Sequence, residues 1–289
     1  MCYNIKYTIH LPERRVITMK FIQQYLVPCI TALCLTGLLS GCSQQQTESE
    51  TEIETTGIYS IAQLNGKRIG TQIGTTAVLY AEDIPDAQVQ SFTKGSAALK
   101  ALKENKIDAV IIDSEPAKIL TADSDAYRIL YDSFVEEEYS IAYSKSNPQL
   151  GEQLNTILNQ LKKDGTIDEI TSHWIGENAD QISYKPERGL SKEGTLVMAT
   201  NAEFPPYESK DSNGNIVGID VDIMTAVCNE LNVNLEIKDM QFDSVLASVE
   251  NGKADVGVAG ISVTPEREKE VDFTQSYATT KLVVIVRNE

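Results

Sequence analysis

The chain has 289 residues, 42% hydrophobic and 23% charged, which suits one large folded domain or two ordinary ones. Its 25 Lys and Arg face 42 Asp and Glu, a formal charge of -17, which argues against a nucleic-acid partner, because phosphates need cations. Only two histidines occur, His10 and His173, and they share no motif, so neither a metal site nor a Ser-His-Asp triad is expected. No cofactor is implied.

Residues 21–39 form the long apolar stretch, and Gln23, Gln24 and Pro28 weaken it as a membrane span. A basic start, a short apolar run and small residues before a cut site describe a secretory signal over 1–41, with Met1 or Met19 as the start. The box Leu39-Ser40-Gly41-Cys42 resembles a bacterial lipoprotein signal. That resemblance implies lipidation, for example with palmitate, at Cys42 and anchoring at the extracytoplasmic face of the cell membrane. Cys228 would then be the one other cysteine left, so no structural disulfide is expected. Residues 42–56 are polar and acidic without an apolar period, and they read as a flexible tether.

From there short apolar strands alternate with amphipathic helices. Strands are expected at 67–72, 87–92 and 108–112, with helices opening at 74–76 and spanning 96–104. Later come a strand at 195–200, a helix at 218–231, a strand at 233–238, a helix at 242–250 and a strand at 255–258. This spacing predicts α/β layers. Residues 101–113 resemble residues 247–260: a helix ends, an Asn-containing turn follows, and a strand opens at Asp108 or Asp255. Five residues on, the strand closes at Asp113 or Gly260. Ligands of open α/β sheets bind beyond such C-terminal strand ends. Any two βαβ units could also look this alike.

Several motifs resemble the family 3 solute-binding proteins, the polar amino-acid-binding lipoproteins of ABC importers. In the later half these are Ala199-Thr200-Asn201-Ala202-Glu203-Phe204-Pro205-Pro206-Tyr207, Gly218-Ile219-Asp220-Val221-Asp222, Ala259-Gly260-Ile261-Ser262-Val263-Thr264-Pro265-Glu266-Arg267 and Val271-Asp272-Phe273-Thr274. In the earlier half they are Leu64-Asn65-Gly66-Lys67-Arg68-Ile69-Gly70, Gln72-Ile73-Gly74-Thr75-Thr76, Ile107-Asp108-Ala109-Val110-Ile111-Ile112-Asp113 and Asp164-Gly165-Thr166. The resemblance implies a two-lobed, periplasmic-binding-protein-like (type II) α/β fold with a ligand cleft between the lobes. In the family the two stretches come in the opposite order, so this chain reads as a circular permutant. On that reading 57–134 is lobe 2, and 135–175 is a crossover with helices packing on lobe 1. Residues 176–193 are a linker, and 194–289 is lobe 1. One covalent crossover, near Glu138, would survive.

A free amino acid needs a cation for its carboxylate and an anion for its ammonium. Arg267 suits the first through paired N–H bonds, and the family places its carboxylate-binding Arg there. Thr75 and Thr76 open a helix, and Thr76 would add a hydroxyl to the anion site. By the same resemblance Asp113, Ser262 and the Gly260 carbonyl would hold the ammonium, and Phe204 would lie on the ligand side chain. Blander roles stay open: a solvated helix residue for Arg267, caps for Asp113 and the threonines, core for Phe204. The implied protein is a monomeric, lipid-anchored receptor that delivers a polar amino acid to ABC permease subunits. A neutral side chain such as glutamine is preferred, because Asn201 stands where some members carry an Asp. An amino-acid-sensing component or a dehydratase is the alternative, though no paired carboxylate base stands out.

Overall fold

The computed structural model describes residues 57–176, 179 and 193–288, with the backbone alone at 132–134. The expected signal 1–41, Cys42, the tether and most of the linker lie outside the described residues.

The first lobe in the chain opens with β1 (Arg68–Gln72), α1 (Thr76–Glu82), β2 (Gln88–Phe92), α2 (Gly95–Lys103), β3 (Ala109–Asp113) and α3 (Ser114–Thr121). A long strand, β4 (Tyr127–Tyr143), leads to α4 (Pro148–Lys163) and α5 (Thr166–Trp174). The other lobe continues with β5 (Thr195–Thr200) and three short strands, β6 (Glu203–Phe204), β7 (Glu208–Lys210) and β8 (Ile216–Val217). It goes on through α6 (Ile219–Glu230), β9 (Asn234–Asp239), α7 (Val245–Glu250), β10 (Val256–Gly257) and the long β11 (Asp272–Arg287). The alternation read from the sequence is therefore present in both halves. Local chemistry fits it. Pro148 opens α4 behind Asn147, whose side-chain oxygen accepts the Leu150 N–H at 3.2 Å. Leu154, Ile157, Leu158 and Leu161 then give α4 a single buried face.

The main sheet runs β2-β1-β3-β11-β4-β10-β5-β9. β1 lies parallel between β2 and β3, and β5 lies parallel between β9 and β10. The repeat extends to side chains. Asp108 accepts the Arg68 N–H at 2.9 Å and returns its own N–H to the Arg68 carbonyl at 2.7 Å. Asp255 does the same with Val197, at 2.7 and 2.8 Å. These two strand-opening aspartates thus tie matching strands in the two lobes. Asp108 also meets the Arg68 guanidinium, which holds its carboxyl down to about 2.

The reading of 194–289 as one continuous lobe is corrected by the pairing of β11. Its first half, Asp272–Ala278, runs antiparallel to Tyr143–Tyr139 of β4. Its second half, Leu282–Val286, lies between Asp113–Ala109 of β3 and the Tyr127–Val135 stretch of β4, inside lobe 2. Two strands therefore cross between the lobes, not one. Leu282–Val286 is a continuous apolar run, as a strand buried on both faces requires. Leu282, Val284 and Val286 pack with Ile69, Ala109 and Ile111, while Val283 and Ile285 pack with Leu102, Val110 and Ile112. Register shifts in β11 fall between Phe273 and Ala278 and between Leu282 and Val284. Such bulges bend and twist a strand. The lobe 1 sheet is likewise covered on both faces, by α4, α5 and α6 around Met198 and by α7 around Ala199.

Candidate functional site

The crossing strands bring the C-terminal ends of β1 and β3 to face those of β5 and β10. The seven residues named from the sequence, Thr75, Thr76, Asp113, Phe204, Gly260, Ser262 and Arg267, line one interlobe cleft there. Gln72, Glu137, Asn201, Phe242 and Ala259 complete the lining. Its free volume is about 20 Å³, so the two lobes meet across it.

Asp113 ends β3 and is the N-cap of α3, yet its side chain makes no capping bond. Its carboxylate instead accepts the Tyr139 hydroxyl at 2.5 Å. Burial pushes Asp113 up to about 7; the Tyr139 bond opposes that rise and the nearby Glu137 adds to it. A cation brought to this carboxylate would reverse the shift.

Arg267 stands in a short turn, Arg267–Lys269, whose first N–H is bonded to the Thr264 hydroxyl at 3.2 Å. Its guanidinium forks, with Nη1 donating to the Ser262 carbonyl at 2.6 Å and Nη2 to the Gly74 carbonyl of lobe 2 at 2.9 Å. It lies 5.6 Å from the centre of the Phe242 ring. Burial pulls its pKa below the usual value, and Glu137 and Asp113 partly offset this.

Gly74 has φ +80°, which favours glycine, and a Cβ there would come within 3.1 Å of Asp243 in the opposite lobe. Gly260, at φ +57°, leaves room for the Phe204 ring, which a Cβ would approach to 2.8 Å. The Gly260 N–H is held by the Asp220 carboxylate at 3.0 Å. Phe204 stacks on Tyr207, with centroids 5.7 Å apart, so one face of its ring is already used inside lobe 1.

Two features of the threonine turn differ from expectation. The Thr75 hydroxyl donates to the Gln72 carbonyl at 2.8 Å. The Thr76 hydroxyl donates to Glu137 Oε2 at 2.9 Å, an oxygen that also receives the Ser262 hydroxyl at 2.7 Å. Glu137 itself escaped the sequence reading because it sits in Glu136-Glu137-Glu138, which resembles a solvated run. Strand alternation was the available signal: Glu137, Tyr139 and Ile141 share a side of β4 and all three are buried. Two contacts between lobes flank these groups. Gln72 Nε2 donates to Asn201 Oδ1 at 2.9 Å, and Lys94 pairs with Glu203. Among the described residues no group of three or more His, Cys, Asp or Glu could hold a metal ion.

The model of the bacterial extracellular solute-binding proteins, family 3, matches residues 59–177 and 196–289, well over half of the chain. The chain belongs to that family. This solute-binding protein is 40% identical over 89 residues to a probable histidine-binding protein of Neisseria gonorrhoeae, covering 31% of this chain and 33% of that one. It is 34% identical over 101 residues to the ABC transporter arginine-binding protein 1 of Escherichia coli K12, covering 35% and 42%. A solved ancestral arginine-binding protein bound to arginine is 45% identical over 28% of this chain and 35% of that one, with a TM-score of 0.27. The chain spans about a third to two fifths of the length of these curated relatives. Both relatives are named as amino-acid-binding proteins, and the family is one of solute-binding proteins. Among the described residues no helix is long and apolar enough to cross a membrane.

Proposed function

We propose that the interlobe cleft binds a free amino acid, with Arg267 taking the carboxylate and Asp113 the ammonium. The observation that carries this is that these opposite charges line one cleft from opposite lobes, Asp113 buried and Arg267 half-buried. In this reading Ser262 and the Gly260 carbonyl join Asp113 as acceptors for the ammonium, Thr75 and Thr76 serve the carboxylate end, and Phe204 serves the ligand side chain, all of them in the lining of the same cleft. The charged lining groups are Asp113, Glu137 and Arg267, an excess of one acid. A zwitterion with a neutral side chain leaves that excess in place, whereas a basic side chain balances it. This moves the reading from glutamine towards a basic amino acid, and the histidine- and arginine-binding relatives support the shift.

The protein so read is a lipoprotein anchored through Cys42 at the extracytoplasmic face of the membrane, acting as a monomer and delivering its ligand to ABC permease subunits. The permuted order, with the segment carrying Thr76 and Asp113 before the segment carrying Phe204 and Arg267, is part of the proposal; two separate stretches, 59–177 and 196–289, match the family model, as a permutant requires. A thermal-shift screen of the common amino acids tests the ligand class. A ligand at 100 times its dissociation constant adds about 2.7 kcal/mol of stability. Arginine, histidine or lysine should give the largest shift, and a screen in which no amino acid raises the melting temperature would end the reading.

A further inference from the structure

A second space lies between the lobes, a groove of about 620 Å³ against about 20 Å³ in the cleft. The two spaces lie on opposite faces of the crossing strands. Glu137 of β4 stands opposite Thr280 of β11, and Glu136 opposite Lys281. Neighbouring side chains on a strand point to opposite faces. Glu137 lines the cleft, whereas Lys281, paired with Glu136 at 3.1 Å, lines the groove. At the end of β3 the same division falls between Asp113, in the cleft, and Ser114, in the groove. A rotation about these strands that narrows the cleft therefore widens the groove, and one that opens the cleft brings the groove walls together.

The walls suit each other. Lobe 2 presents Glu115 and Lys118 of α3 and the ring of Tyr131, which is 63% exposed. Lobe 1 presents Lys162 of α4 and Asp168 and Thr171 of α5. Each of these walls thus carries one acid and one base. Both bases are engaged on their own side, Lys118 with Glu115 at 2.6 Å and Lys162 with the Ser276 carbonyl. We infer that the groove is a counter-interface: its walls meet when the cleft opens, Tyr131 packing on α5 and Lys118 facing Asp168, and this contact holds the unliganded lobes apart. The inference rests on the reading of the cleft as a site that closes on its ligand. It adds that groove residues set the affinity without touching the ligand. Apparent affinity is reduced by the fraction of molecules outside the binding-competent form. Weakening the groove contact raises that fraction and should tighten binding.

The test combines calorimetry with L-arginine and small-angle scattering of the unliganded protein, both on the full chain. Thr171→Trp fills the groove and keeps its walls apart. It should bind arginine at least about threefold more tightly, and its unliganded radius of gyration should fall below that of wild type. Asp168→Lys sets three bases against one another across the groove. It should tighten binding about two- to fivefold, the size of an exposed charge pair. Adding Lys118→Glu to Asp168→Lys restores opposite signs and should return the affinity to that of wild type. Melting curves check that each variant folds, and the two charge variants decide the matter if Thr171→Trp does not. Unchanged or weaker binding in folded Thr171→Trp overturns the inference. So does an Asp168→Lys protein that binds no more tightly, or one whose gain Lys118→Glu leaves in place. A wild type that binds no amino acid removes the ligand reading alone, because scattering still reports on the groove. Equal unliganded radii for wild type and Thr171→Trp would then overturn the counter-interface itself.

Discussion

The Arg267 guanidinium of lobe 1 donates to the Gly74 carbonyl of lobe 2 at 2.9 Å. The cation assigned to the ligand is thus also a direct tie between the lobes, and Asp113 faces it across the cleft without forming an ion pair. A ligand that spans Arg267 and Asp113 adds a second, charged tie and biases the hinge towards closure.

Removing either end should abolish tight binding. Breaking one partner of a buried charge pair costs about 3–5 kcal/mol, or roughly two to three and a half decades of affinity. Calorimetry on Arg267→Ala and Asp113→Asn should show that loss while circular dichroism stays native. A variant that keeps wild-type affinity excludes its residue from the site.

Acid titration should separate two aspartates. Folded Asp113 keeps its proton up to about 7, whereas an ordinary Asp releases it near 3.8. The folded state therefore binds more protons between these values, and the Asp113 contribution to stability, full below about 4, is lost as pH rises through about 7. Asp108 acts in the opposite sense: held down to about 2 by Arg68, it stabilises above about 4 and loses that contribution as pH falls towards 2. An ammonium ligand needs Asp113 ionised, so binding at pH 6 should release protons. Binding enthalpies measured in buffers of different ionisation heat should diverge; identical enthalpies would deny Asp113 the ammonium.

The Gly260 turn should depend on Asp220, which is fully buried and raised by burial to about 6. Asp220→Ala strands the Gly260 N–H and should cost about 1–3 kcal/mol. Asp220→Asn keeps an acceptor and should cost less. Urea melts of the two variants compare them, and equal losses would show that packing, not the hydrogen bond, is what matters there.

One chain should suffice for one site. Equimolar Arg267→Ala and Asp113→Asn proteins, mixed and incubated, should recover no binding. Strong binding in the mixture would mean that lobes from two chains exchange, against the single-chain proposal.

Lipidation at Cys42 should be visible as incorporation of labelled fatty acid that Cys42→Ser abolishes, with the variant released from membranes or left uncut. Equal labelling of both would refute the anchor.

Most of the cleft could be read in advance because its residues close regular elements. Asp113 and Gly260 follow short strands whose opening aspartates mark them, and Arg267 sits in a motif dense with Pro and charge. What escaped was set by tertiary pairing. Glu137 is indistinguishable in composition from its neighbours Glu136 and Glu138, and strand alternation alone turns it inward. The residues of β11 were read only as part of lobe 1. Its polar half, Asp272–Lys281, carries no continuous apolar signal, and no local pattern says that Leu282–Val286 inserts between β3 and β4. Gln72 and Asn201 meet through contacts 129 positions apart, beyond any periodicity.

The placement of β11 fixes a temporal order. Lobe 2 is begun first, yet one of its interior strands is made only after the strands and helices of lobe 1. Until Leu282–Val286 arrives, β3 and β4 lack the partner that joins them and leave open, apolar edges of the kind that invite wrong pairing. Contacts so distant in sequence also form slowly. Lobe 2 therefore cannot be complete until Leu282–Val286 has been made, and a nascent chain needs its early strands kept apart from those of other chains until then.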